Sequence, residues 1–237
     1  MQIEQVWRDD AERVQGVAVV IDVLRAFSVA AYAFAGGAQE LWLVHTVEEA
    51  FALREREPAA LLAGEVGGKL IPGFDFNNSP FLMAQADVRD RIIIQRTGAG
   101  TQGAVNAANA RHVLLAALVN AQATADYARA LAQQEQLDIA LIPTERRDSI
   151  HAEDEICATY LTALIQEQAD ASAVLSDGLR ELQTSGRLDI FAQDLPDFPQ
   201  EDVASALATN IFDFVMVGTR RQWHDIAYVE AQRADVL

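Results

Sequence analysis

The alternation of short apolar runs with longer helical patterns constrains this sequence more than any other feature. Seven runs rich in Val, Ile, Leu or Phe are typical of buried strands. They are VAVVI (17–21), LWLV (41–44), ALLA (60–63), RIIIQ (91–95), VLLAALV (113–119), DIALI (138–142) and FDFVMV (212–217). Because such runs lack the polar alternation of a half-exposed strand, they predict a sheet that is covered on both faces.

Helical patterns separate the apolar runs. They are AFSVAAYAFA (26–35), TVEEAFALRERE (46–57), ATADYARALAQQ (123–134), EDEICATYLTALIQEQ (153–168) and PQEDVASALA (199–208). Thr46 and Glu49 have the spacing of a capping box at the start of the second helix. Strand–helix alternation of this kind predicts an α/β fold with a mostly parallel sheet. We expect one domain over residues 1–237, with an irregular excursion at 184–200.

Composition excludes several classes of partner. The net charge is -17, so we expect no binding to nucleic acid or to an anionic membrane surface, which recruit proteins through Lys and Arg. A small anionic substrate would need a local cation. The single cysteine, Cys157, fits a reducing compartment, and the N-terminal MQIEQVWRDD lacks the apolar core of a signal peptide. We therefore expect a cytoplasmic protein. No membrane span is expected, because Asp22 and Arg25 interrupt the apolar region 17–38.

Polar residues follow several of the predicted strands. Asp22, Glu65, Thr97 and Asn120 each come at or just after the end of an apolar run. Ligand sites in open α/β sheets form at the carboxyl ends of strands, so we expect these side chains to meet at one edge. A carboxylate that ends an apolar strand is costly unless it meets a cation, a metal or several donors. For Asp22 this leaves a functional role, a structural pair with Arg25, or a helix cap.

Two glycine-rich stretches have the backbone freedom to approach a ligand closely. The first stretch covers residues 63–80. It begins with AGEVGG (63–68), which contains Glu65, and it ends with GFDFNNSP (73–80), whose residue types also fit an ordinary turn. The second stretch, RTGAGTQG (96–103), enters a helix; it either presents amide donors to an anion or is a plain strand-to-helix turn. The acids at 153–155 open a helix, where they also interact favourably with its dipole.

Taken together, these segments resemble the 2-phosphosulfolactate phosphatase family. The matching pieces are IDVLRAF (21–27), GEVGGKLIPGFDFNNSP (64–80), TGAGT (97–101), VNA (119–121), EDEICA (153–158) and, more loosely, FDFVMV (212–217). Each piece is short, but their joint order and spacing are specific and extend over nearly the whole chain.

The resemblance implies a three-layer α/β/α fold with a mostly parallel or mixed sheet, and a magnesium-dependent phosphatase. The activity of the family converts 2-phospho-3-sulfolactate to 3-sulfolactate and phosphate, on a route to coenzyme M. The site residues implied by the motif match are Asp22, Arg25, Glu65, Asp75, Asn78, Ser79, Thr97, Gly100, Thr101, Asn120, Glu153 and Asp154.

Roles for these residues follow as a hypothesis. Mg²⁺ prefers oxygen ligands and keeps several waters, so a few carboxylates suffice to hold it. The attacking group is either water or Asp22 itself; the absence of an Asp-x-Asp-x-Thr/Val signature after Asp22 favours water. Catalytic roles are assigned to Asp22, Arg25 and Glu65; metal binding to Asp22, Glu65, Asp75, Glu153 and Asp154; substrate binding to Lys69, Asn78, Ser79, Arg96, Thr97, Gly100, Thr101 and Asn120.

Some positions depart from the family pattern and leave the substrate open. Gly98 stands where Thr or Ser is usual, Arg96 where Thr is common, and Asn77 where Gly is typical. The alternatives are a phosphatase for another small organic phosphate and a non-catalytic anion-binding homologue. The acids at separate positions argue against the second, because anion binding alone requires cations and amides. A homodimer is an expectation, and the sequence leaves the oligomeric state open.

Overall fold

Within the part of the chain that the structure describes, a mixed sheet of ten strands organises the protein. The structure is a computed structural model that describes residues 1–144 and 153–236. The strands are β1 (Ile3–Gln5), β2 (Val17–Ile21), β3 (Glu40–Leu43), β4 (Leu61–Val66), β5 (Lys69–Leu70), β6 (Ile92–Arg96), β7 (His112–Ala116), β8 (Ile139–Pro143), β9 (Phe214–Trp223) and β10 (Ile226–Asp235). All seven predicted strands are present, although the fifth run ends as a 3₁₀ turn at Leu118–Asn120.

Helices lie on both faces of the sheet, which confirms the three-layer α/β/α prediction. They are α1 (Ala26–Ala35), α2 (Val47–Arg56), α3 (Pro80–Met83), α4 (Gly100–Asn106), α5 (Ala121–Glu135), α6 (Glu153–Ile165), α7 (Ala171–Thr184) and α8 (Glu201–Leu207). The predicted capping box of α2 is formed, with both the Thr46 and the Glu49 side chains bonded to backbone amides. Among the described residues, no helix is long and apolar enough to cross a bilayer.

The strand order is β1-β8-β2-β7-β9-β10-β3-β6-β4-β5. One group of parallel strands contains β1, β8, β2 and β7, and the other contains β3, β6 and β4. The β9–β10 hairpin lies between the groups. Strand β9 runs antiparallel to β7, and strand β10 runs antiparallel to β3. The sheet is therefore mixed, and the two parallel groups run in opposite directions along it.

Sheet twist explains how strand ends from the two groups can still meet. Neighbouring strands rotate by about 20–25°, so the five steps from β2 to β6 accumulate roughly 100–125°. This rotation offsets much of the reversal at the hairpin. The contacts agree: the side-chain amide of Gln95 on β6 donates to the carbonyl oxygen of Ala26, just after β2, at 3.0 Å.

Helix α1 packs against one face of the sheet, in an apolar cluster that includes residues of both strand groups. Helix α1 is rich in alanine, and its Phe27, Ala30, Ala31 and Ala33 are completely buried. Small side chains allow close approach of the helix to the sheet, while a large buried ring such as Phe27 contributes about 1.5–3 kcal/mol. Helices α5 and α6 pack with the opposite face of β2, β7 and β8. Both faces of the first strand group are thus covered.

Gly64 tests the close pairing of β4 with β6. Its φ is +149°, and an added Cβ would lie 1.9 Å from the carbonyl oxygen of Arg96. We predict that Gly64→Ala lowers the free energy of unfolding by about 3 kcal/mol or more, because a backbone atom must move. Gly67→Ala is the matched control. Its φ is +61° and nothing lies within 4 Å of the added Cβ, so only about 1 kcal/mol of backbone strain is expected. Urea unfolding measures the free energy of unfolding of both variants. Equal losses of stability in the two variants would contradict the proposed clash with the backbone of Arg96.

Candidate active site

Asp22 lies directly after β2 and is almost completely buried. Its Oδ1 accepts a hydrogen bond from the Ala26 amide at 2.8 Å, and the Thr144 hydroxyl lies 3.4 Å from its Oδ2. A Cβ on Gly100 would come within 2.6 Å of Oδ2, so the glycine lets the two segments touch. Burial raises the pKa of Asp22 to about 6, with a contribution from Glu65, while hydrogen bonds from Ala26, Thr144 and Gly100 oppose the shift.

Glu65 connects the two glycine-rich stretches. Its Oε1 accepts from the Gly98 amide and its Oε2 from the Gly68 amide, each at 2.6 Å. Arg96 donates to the Glu65 carbonyl oxygen at 2.8 Å and to the His45 carbonyl oxygen at 3.2 Å. Gly98 belongs to the stretch that was predicted either to present amide donors to an anion or to form a plain turn, and its amide donates to a carboxylate of the protein. Arg96 holds backbone in this structure, and its role in substrate binding stays a prediction.

Asp154 joins the start of α6 to the ends of β2 and β8. Its Oδ1 accepts from the Val23 amide at 2.7 Å, and its Oδ2 accepts from both the amide and the hydroxyl of Thr144 at 3.1 Å. Burial raises its pKa well above the usual range, and the charges of Asp22 and Glu153 add to the shift. Thr144 thus lies between two carboxylates. It follows an apolar strand, the same signal that identified Asp22, but the sequence reasoning missed it.

Glu153 is buried and paired with an arginine that sequence reasoning also missed. Arg187 donates from Nε to Oε2 at 2.9 Å and from Nη2 to Oε1 at 3.1 Å. Burial raises the pKa of Glu153 to about 7, with a further contribution from the charge of Asp22. Arg187 lies in the irregular excursion after α7, where no periodicity or motif marks it. The structure thus brings together four predicted acids, Asp22, Glu65, Glu153 and Asp154, from three separate segments of the chain.

Arg25 does not pair with Asp22, contrary to one of the structural alternatives for that carboxylate. Its Nη1 donates to Asp202 Oδ2 at 2.8 Å and to the Asp197 carbonyl oxygen at 2.7 Å, and its Nη2 donates to the Gly68 carbonyl oxygen at 3.2 Å. The ring of Phe198 lies 4.8 Å from the guanidinium carbon. Asp22 accepts from the Ala26 amide at the start of α1, but the N-cap position of that helix is Arg25, so Asp22 is not its N-cap either. Arg25 holds the 184–200 excursion against the Gly68 turn.

Three of the predicted substrate-binding residues form local turns. Thr97 and Thr101 bind each other reciprocally, since the amide of each donates to the hydroxyl of the other, at 2.9 and 3.2 Å. Asn120 accepts from the Ala117 amide at 3.0 Å. These contacts position the connections after β6 and β7.

The next predicted substrate-binding residues are Ser79, Asn78 and Lys69. Ser79 donates to Asp202 and caps α3 through Leu82, and Asn78 is buried next to it. Within residues 1–144 and 153–236, Asn78 Oδ1 has no hydrogen-bond partner, which leaves this oxygen suited to a ligand. Lys69 is exposed on the short strand β5.

Asp75, predicted to bind metal, is placed differently from the other acids. Its Oδ2 accepts from the Leu62 amide at 2.7 Å and from Arg54 at 2.9 Å. Leu62 precedes Glu65 by three residues on β4, a separation of about 10 Å along a strand. The structure therefore corrects the expected grouping: Asp75 forms a partly exposed ion pair away from the carboxylates around Asp22. Its side chain links β4 to α2 through Leu62 and Arg54, a structural role that differs from both the metal and the ordinary turn interpretations.

The donors around Asp22 have the chemistry that suits magnesium. They are carboxylate and hydroxyl oxygens, and each carboxylate has about four lone-pair directions, so its bonds to amides leave room for an ion. In the described ranges, no group of three or more His, Cys, Asp or Glu side chains could hold a metal ion. The site therefore fits an ion held by one or two carboxylates, with waters and substrate oxygens completing its shell, as is usual for Mg²⁺.

Comparison with known proteins identifies the family. A family model described as 2-phosphosulpholactate phosphatase matches residues 5–220. A protein of Bacillus subtilis (strain 168), named "Probable 2-phosphosulfolactate phosphatase", is 35% identical over 199 residues, covering 84% of this chain and 85% of the relative. A protein of Deinococcus radiodurans with the same name is 46% identical over 168 residues, which is 69% of each chain. This chain belongs to the 2-phosphosulpholactate phosphatase family.

Proposed function

We propose that this protein is a magnesium-dependent phosphatase that hydrolyses 2-phospho-3-sulfolactate to 3-sulfolactate and phosphate. The observation that carries the proposal is the meeting of Asp22, Glu65, Glu153 and Asp154 at one place. Asp22, Glu153 and Asp154 are buried and Glu65 is partly buried. Their charges repel one another when ionised, and a divalent cation would relieve that repulsion. Family membership and the names of the relatives support the reaction and the substrate.

The residues of the chain suggest how the reaction proceeds. Asp22 and Glu65 would hold Mg²⁺, which when bound would neutralise the charge of the phosphoryl oxygens. Phosphoryl transfer depends mainly on charge neutralisation and in-line positioning. Asp154 fixes the Thr144 hydroxyl beside Asp22, and the Gly98 and Gly68 amides fix Glu65. A carboxylate of this group would accept the proton of the attacking water. We favour water over attack by Asp22, whose Oδ1 is bonded to the Ala26 amide.

Three expectations accompany this function and stay predictions: a cytoplasmic location, a homodimer and a place on a route to coenzyme M. The alternative within the same chemistry is another small organic phosphate. Arg96, where Thr is common in the family, was one reason to consider another substrate. That reason is weaker in the structure, because Arg96 binds the carbonyl oxygens of Glu65 and His45.

Phosphate release tests the function. The purified chain with MgCl₂ should release phosphate from 2-phospho-3-sulfolactate, with a kcat/KM at least about tenfold above that for 2-phospholactate or p-nitrophenyl phosphate, because the sulfonate adds a charge-assisted contact. EDTA should abolish the release. If the protein prefers another ester, that ester replaces 2-phospho-3-sulfolactate as the proposed substrate. If it releases no phosphate from any ester with any divalent metal, the catalytic proposal is wrong.

Carboxylate substitutions test the site. We expect Asp22→Asn and Glu65→Gln each to lower kcat by about 100-fold or more, because each removes a charge that faces the ion. Asp177→Asn, on the exposed face of α7 and paired with Arg180, is the control and should retain wild-type kcat. Circular dichroism checks that the variants are folded. Full activity in a folded Asp22 or Glu65 variant would exclude that residue from the site.

Thermal unfolding tests metal binding independently of turnover. At pH 8, above the raised pKa of Asp22 at about 6 and of Glu153 at about 7, both carboxyls are ionised and repel each other. MgCl₂ at 100 times its Kd should then stabilise the protein by about 2.7 kcal/mol, a Tm rise of about 5–10 °C for a chain of this size. Asp22→Asn should lose most of the rise. An equal rise in both proteins would place the ion elsewhere.

A further inference from the structure

The Glu65 carboxylate is oriented by two backbone amides. Its Oε2 accepts a hydrogen bond from the Gly68 amide and its Oε1 accepts one from the Gly98 amide, each at 2.6 Å. The direction of this carboxylate therefore depends on the direction of the two amides. Any group that fixes the Gly68 backbone also fixes a carboxylate that the proposed function assigns to the cation.

The sheet gives the turn around Gly68 little support. Gly67 and Gly68 connect β4 to β5, and both have a positive φ, +61° and +80°, as a two-residue hairpin turn requires. Strand β5 contains two residues and lies at the end of the sheet. Because glycine has more backbone freedom than any other residue, the conformation of this turn depends on contacts from outside the hairpin.

The irregular excursion before α8 supplies one of these contacts. A Cβ added to Gly68 would lie 2.2 Å from Cζ of Phe198, and the three atoms nearest to that position all belong to the Phe198 ring. The tip of the ring therefore packs directly against the Gly68 backbone. On the same residue, the carbonyl oxygen accepts a hydrogen bond from Arg25 Nη2 at 3.2 Å.

The Phe198 ring is itself restrained by groups other than Gly68. The Phe198 amide donates to the Leu195 carbonyl oxygen at 2.8 Å. The ring packs edge-on against Phe191, with centroids 5.7 Å apart, and the guanidinium carbon of Arg25 lies 4.8 Å from its centroid. Aromatic pairs and cation–π contacts favour particular orientations of a ring. The ring therefore has a defined position from which it restrains the turn.

We propose that Phe198 is a positioning residue for Glu65. Its ring fixes the backbone of Gly68, and the Gly68 amide fixes the Glu65 carboxylate so that it faces the cation of the proposed function, on which this inference rests. Position 68 must be glycine, because a side chain there would displace the ring. The excursion thus contributes to cation binding although Phe198 itself contacts neither ion nor substrate.

Two substitutions at Phe198 test this role through cation affinity. Phe198→Leu removes the tip of the ring, and Phe198→Tyr adds a hydroxyl to Cζ, the ring atom closest to the added Cβ of Gly68. We expect each to raise the Kd for Mg²⁺, obtained from Tm at increasing MgCl₂, by about tenfold, as is usual when a group that orients a metal ligand is changed. The tyrosine keeps the packed ring, so its effect reports displacement of the turn. Either folded variant suffices.

Phe191→Leu is the matched control. The Phe191 ring is buried in the same aromatic group and lies 5.6 Å from the guanidinium carbon of Arg25, but the atoms nearest to Gly68 belong to Phe198. The control should lower the Tm at least as much as Phe198→Leu does, while its Kd for Mg²⁺ changes by less than about twofold. An equal change in Kd at both positions, or an unchanged Kd in the Phe198 variants, would overturn the inference.

A double substitution tests the contact itself. Gly68→Ala places a methyl group against the ring and should raise the Kd for Mg²⁺ on its own. In Gly68→Ala/Phe198→Leu, the shorter leucine leaves room for that methyl group. The Kd of the double variant should therefore lie at least about threefold below the product of the two separate effects, because contacting residues are not independent. A Kd equal to that product would show that the two residues act separately and would contradict the role of the ring.

Amide exchange separates this inference from the proposed function. If the wild-type protein neither releases phosphate nor responds to MgCl₂, the proposed function fails, and deuterium exchange of the Gly68 amide, followed by NMR, decides the role of Phe198. The hydrogen bond to Glu65 protects this amide, so exchange about tenfold faster in Phe198→Leu than in Phe191→Leu supports the role. Equal exchange rates in the two variants refute it.

Discussion

Mutual repulsion among carboxylates that are shielded from water governs the organisation of this protein. Ionised acids in such a place are unfavourable unless dipoles or cations face them. The chain supplies dipoles from backbone amides: Ala26 to Asp22, Val23 to Asp154, and the glycines at 68 and 98 to Glu65. Glycine is needed at 100 because a larger residue would displace the Asp22 carboxylate. These donors only partly offset the cost of burial, which is the main reason that the pKa values of Asp22, Glu153 and Asp154 are raised, and the neighbouring negative charges add to the shift.

The direction of the strands makes the gathering of these groups less obvious than in a doubly wound sheet. Asp22 follows a strand of one parallel group, and Glu65 lies on a strand of the other. In a flat sheet the carboxyl ends of these groups would lie at opposite edges. The accumulated twist across β9 and β10 turns the second group toward the first. Helix α1 packs across one face of the sheet, where its small side chains contact the same apolar cluster as both strand groups.

Local sequence patterns predicted most of the strands and helices, but few of the residues that bind the side chains of the candidate site. All seven apolar runs became strands, and α1 begins and ends at the predicted residues. Strand β10 was missed although Ile226, Tyr228 and Ala231 are buried, because it alternates imperfectly. The partners of the site were harder to predict. Asp202 is 177 positions from Arg25, and Arg187 is 34 from Glu153. Pairs at such separations leave no periodic signal, so Asp75 appeared as suited to the site as Glu153 did.

The place of the β9–β10 hairpin in the middle of the sheet has a consequence for biosynthesis. Residues 214–235 fill the gap between β7 and β3, so the strands made earlier on the ribosome lack their central neighbours. Until that hairpin emerges, each half exposes an unpaired edge beside apolar surface, the condition in which nascent chains associate wrongly. Emergence of this hairpin, rather than the formation of any early helix, is then the step that joins the two strand groups and brings Asp22 and Glu65 together.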